Sequence, residues 1–145
     1  MPNTSALRLT TLVFIAGFLA TIIFHQCMVL ALNTTGLMPA GFKPWSLDPV
    51  PPLGVPTVIS KAFWGGLWAV LLSQLLRNLS GSWYWLMWTI FGAVALSLVA
   101  IFVVPPLKGQ PVPDFLGRFP IYALVNAAWG FGAALLLRMF GATRA

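Results

Sequence analysis

Hydrophobic residues run along this chain in four blocks, roughly 9–32, 57–76, 83–104 and 121–140. Two long proline-rich intervals and one short polar turn, Arg77–Ser82, separate them. Each block matches the stretch of about 20 residues that a helix needs to cross the hydrocarbon core of a bilayer. The blocks lack the period-two alternation of barrel strands, and a lipid-facing backbone must close its own hydrogen bonds, so they predict helices. The expectation is an all-α integral membrane protein, a single membrane domain over 1–145 with four transmembrane helices. Arg8 ahead of the first block gives it the look of a signal peptide. The block is too long for that and ends without a small-residue cleavage pattern, so it reads as a retained span.

Eleven of the twelve prolines fall in 33–56 and 105–120. With four spans, both loops lie on one side of the membrane, and the termini and the short turn lie on the other. Arg8, Arg77, Arg138 and Arg144 mark the side of the termini, and Lys43, Lys61, Lys108 and Arg118 the side of the loops. Because Lys61 falls inside a block, the flanking charge favours the termini as the cytoplasmic side of a bacterial inner membrane. Trp83, Tyr84, Trp85 and Trp88 crowd the start of the third block and predict an aromatic belt at headgroup level.

Composition agrees with the pattern. Hydrophobic residues make up 59% of the chain and charged residues 7%, against about a quarter charged in a soluble domain. The net charge of +6 comes from residues dispersed at block ends, which argues for membrane anchoring and against a nucleic-acid partner.

A phrase repeats. Pro49-Val50-Pro51-Pro52 leads to Pro56 and then to Lys61-Ala62-Phe63-Trp64-Gly65. Pro111-Val112-Pro113 leads to Pro120 and then to Asn126-Ala127-Ala128-Trp129-Gly130. The spacing predicts two tandem helical hairpins related by a pseudo-twofold axis along the membrane normal. Within the even helices, Lys61, Gly65 and Ala69, and likewise Asn126, Gly130 and Ala134, recur every fourth residue and share a face. Small residues at that spacing predict close helix packing.

Helical rise sets depth. Lys61 lies roughly 7 Å past Pro56, Asn126 roughly 9 Å past Pro120, and His25 roughly 10 Å before the end of the first block. His25, Gln26, Lys61 and Asn126 therefore share one layer near the loop side, where polar groups tend to face a bundle interior. As a ligand site, Lys61 would hold an anion or lipid headgroup, His25, Gln26 and Asn126 would hydrogen-bond it, and Trp64 and Trp129 would wall it. Each has a plainer role: Lys61 snorkelling to the interface, Asn126 cross-linking helices, His25 as a neutral imidazole bonded to a neighbour. Cys27 beside them reads as packing.

Catalytic chemistry is sparse. Asp48 and Asp114 are the two acids and both lie outside the blocks, so paired carboxylates within a span are excluded. One His and one Cys make a multidentate metal site improbable, and no cofactor is expected. The expectation is a non-enzymatic polytopic inner-membrane protein, an accessory or assembly component of a membrane complex. It would contact lipid and other membrane subunits, or copies of itself. The alternative is a small transporter or lipid- or solute-binding protein using the polar layer as an outer-leaflet cavity.

Overall fold

The computed structural model describes residues 4–143; Arg144 lies outside them. The chain is mostly helical, and four helices are long and apolar enough to cross a membrane: α1 (Ser5–Thr34), α2 (Thr57–Leu75), α3 (Gly81–Leu107) and α4 (Phe115–Met139). A two-stranded antiparallel hairpin, β1 (Pro49–Val50) and β2 (Val55–Pro56), sits in the first long loop.

Helix ends follow local chemistry rather than the prolines. The α4 helix starts at Phe115, ahead of Pro120 and of the predicted start at 121, because Asp114 caps it by accepting from the Gly117 N–H at 2.7 Å. Such a cap satisfies one of the free donors of the first turn. Pro120 then sits inside the helix. On α3, Pro105 and Pro106 open a short last segment, Val104–Leu107, where a missing N–H removes no ladder bond. The second loop is thereby shorter than the interval 105–120.

Packing joins α1 to α2, α3 to α4, and α1 to α4, while no comparable contact joins α2 to α3 among the described residues. The bundle is thus open along one seam. Within each hairpin, glycine pairs set the approach. A methyl on Gly17 would collide with the Gly65 carbonyl and Ala69, and one on Gly92 would lie 2.6 Å from the Asn126 carbonyl and 3.1 Å from Gly130 Cα. Ala69 and Ala134 are fully buried. Each odd helix also carries a π-helical turn, Thr21–His25 in α1 and Gly92–Leu96 in α3.

The aromatic group at the start of α3 divides by helical phase. Tyr84 and Trp88, one turn apart, are buried in the core, while Trp83 is exposed. The Tyr84 hydroxyl donates to the Ala134 carbonyl at 2.8 Å. Arg138 lies 4.9 Å from the Tyr84 ring and 5.3 Å from the Trp85 ring. Trp83 alone keeps the exposure expected of a belt residue.

Candidate functional site

The polar layer resolves into a clamp, a cation under an aromatic lid, and a separate cross-link. The clamp begins at the π turn of α1, a feature that inserts a wide turn into an α-helix. The carbonyl of Ile22 in this turn accepts the indole N–H of Trp45 at 2.8 Å. Gln26, on the next turn and buried, accepts the Trp45 backbone N–H on Oε1 at 2.7 Å. Its Nε2 lies 3.2 Å from His25 Nδ1. An amide nitrogen only donates, so this Nδ1 is the acceptor and the imidazole proton belongs on Nε2. Asn33 donates to the Phe42 carbonyl at 3.3 Å, and Thr57 closes the loop by donating from N and Oγ1 to the Asp48 carbonyl at 2.9 and 2.7 Å. The first long loop is therefore seated on the end of the bundle.

Lys61 is half-buried, with Nζ 5.7 Å from the centre of the Phe42 ring, within the distance at which a ring face attracts a cation. Phe42 in turn meets Tyr122 of α4 at 5.9 Å. His25 and Lys108 both lie within electrostatic range of Lys61. Among the described residues the one ion pair is Lys43–Asp48, 3.9 Å apart and exposed, so Lys61 has no carboxylate partner there.

His25 and Gln26 thus share the clamp, and Lys61 sits at Phe42 within electrostatic range of His25. Asn126 is not part of that group: its Nδ2 donates to Ser97 Oγ on α3 at 2.9 Å, and both residues are buried. Trp129 is 1% exposed and donates its indole N–H to the Gly17 carbonyl at 3.1 Å, filling the α1–α4 seam. Trp64, at the same place in the repeated phrase, is 59% exposed and touches Phe63. Its helix lacks the neighbour that Trp129 has, so it walls nothing. Cys27 is exposed on α1. Trp45, Phe42, Tyr122 and Ser97 carry the site without having been singled out as its members. A buried Gln in a span, which needs a partner, is the sequence signal that points to Trp45.

Among the described residues, no group of three His, Cys, Asp or Glu side chains could hold a metal ion. No family model matches the chain, and no curated protein or solved structure is significantly similar to it.

Proposed function

We propose that this chain is a non-enzymatic polytopic inner-membrane protein, an accessory or assembly component that docks a partner subunit through its seated loop and its open α2–α3 flank. The observation that carries this reading is the loop. It is fixed to α1 by the Trp45 clamp while Leu47 and Leu53 stay 73% and 84% exposed. A preformed apolar surface loses little entropy on binding. The flank supports the same reading. Trp64 and the neighbouring Phe63 are exposed in α2, where the equivalent Trp129 is covered by α1.

The tandem-hairpin reading is supported by the two glycine pairs, Gly17 with Gly65 and Gly92 with Gly130, and by the matching π turns. A twofold axis along the membrane normal would carry the α1–α4 seam onto α2–α3, which does not pack comparably. The repeat therefore describes the hairpins, and the way they associate departs from it. We place the termini on the cytoplasmic side, with both loops outside.

Lys61 favours a second reading, lipid or solute binding. A half-buried ammonium with Lys108 and His25 within electrostatic range and no acid partner among the described residues suits an anion. Purification in mild detergent with quantitative mass spectrometry separates the two. Docking predicts a stoichiometric partner that survives Lys61→Ala and is lost with Trp45→Ala. Loss with Lys61→Ala and retention with Trp45→Ala would overturn docking in favour of the anion site.

A further inference from the structure

At the opposite end of the bundle, beside the short turn, α2 and α3 diverge around a cavity of about 150 Å³. That is room for a guest about the size of a benzene ring. Apolar residues from all four helices form its floor, among them Val13, Val70, Trp88 and Leu137. Its rim carries Thr10, Gln74 and Arg77. Two other hydroxyls of the lining are committed: Ser73 donates to the Val70 carbonyl and Tyr84 to the Ala134 carbonyl. Thr10, Gln74 and Arg77 make no side-chain hydrogen bond to another described residue.

Charge makes this rim specific. Both acids of the chain, Asp48 and Asp114, belong to the loops at the other end. Among the described residues, Arg77 therefore has no side-chain carboxylate to pair with at this level. It follows directly on the last turns of α2, and Gly81 opens α3 four residues later. Helix ends of this kind lie at headgroup depth, where a guanidinium meets lipid phosphates.

We propose that this cavity seats the phosphate of an anionic phospholipid, with Arg77 as the counter-cation and Gln74 and Thr10 as donors, while the acyl chains run outside it along the open α2–α3 flank. The guanidinium fork suits phosphate oxygens. An apolar flank beside a cationic rim suits an amphiphile better than a free ion.

Native mass spectrometry on delipidated protein, titrated separately with phosphatidylglycerol, phosphatidylcholine and inorganic phosphate, tests it. One phosphatidylglycerol per chain should be retained in preference to phosphatidylcholine, and inorganic phosphate should not displace it. Arg77→Gln should weaken retention about tenfold, the loss expected for one charge-assisted hydrogen bond. Arg8→Gln, outside the cavity on the same side, should leave retention unchanged. Equal weakening by Arg8→Gln, unchanged retention in Arg77→Gln, or displacement by inorganic phosphate would overturn the proposal. Should Arg77→Gln fail to fold, Gln74→Leu replaces it, with a smaller loss expected and unchanged retention again overturning the site.

Discussion

Replacing Gln26 by Leu should release the first loop while leaving the bundle assembled. Two hydrogen bonds from Trp45 seat the loop, at 2.7 Å to Gln26 Oε1 and 2.8 Å to the Ile22 carbonyl. Each is worth about 1 kcal/mol net. Against them stands the Trp45 backbone, at φ 48°, a left-handed conformation that costs a side-chain-bearing residue about 1–2 kcal/mol. The bonds of Asn33 to Phe42 and of Thr57 to Asp48 add to the two from Trp45, so the loop stays mostly closed. Leucine keeps the volume of Gln26 and removes the acceptor. The loss of about 1 kcal/mol raises the open population of the loop about fivefold. Hydrogen–deuterium exchange reads this directly. The amides of Trp45, Thr57 and Val58, which bond to Gln26, Asp48 and Ser46, should exchange about fivefold faster, with α3 and α4 unchanged. Exchange in Gln26→Leu equal to that of the unaltered protein would refute the clamp.

Three further outcomes follow from the packing. Asn126→Leu and Ser97→Ala, combined in a double-mutant cycle of unfolding in mixed micelles, should show a coupling of about 0.6–1.7 kcal/mol, the range for interhelical hydrogen bonds in membranes; a coupling of zero would remove the cross-link. Gly130→Val would push side-chain atoms against the Trp88 carbonyl and Thr89 and should cost about 1–3 kcal/mol by overpacking, measured as a lower Tm, whereas Leu116→Val at an exposed position of the same helix should leave Tm nearly unchanged. Trp129→Phe removes the pyrrole half of a buried indole together with its donor to Gly17, and should cost about 1–3 kcal/mol, while Trp64→Phe should cost nothing measurable in the isolated chain.

The order and approximate length of the four apolar helices were legible in the sequence, and azimuth was not. Counting 1.5 Å per residue set an expectation of one level for His25, Gln26, Lys61 and Asn126. The direction each faces depends on which helices are neighbours, and periodicity within one apolar helix does not report that. Asn126 turns to Ser97 because α4 packs on α3, while His25 and Gln26 meet the loop that folds back over α1. Trp64 and Trp129 make the point most clearly. They share a place in the repeat and differ in burial because only the α1–α4 seam is closed. The four spans were plain because about twenty apolar residues in a row have few other uses. The start of α4 was hidden by Pro120, which marks a helix boundary statistically, whereas the Asp114 cap sets it here. The Trp45 clamp bridges 19 positions and needs a π turn, which leaves no periodic trace.

The seated loop is proposed as the docking surface for a partner subunit. Site-specific photo-crosslinking from position 53 in intact membranes tests it most directly, because Leu53 is 84% exposed at the tip of the loop hairpin. One discrete adduct with a different membrane protein is expected from position 53, reduced several-fold when Gln26→Leu is added. Crosslinks to lipid alone, or an adduct unaffected by Gln26→Leu, would contradict it.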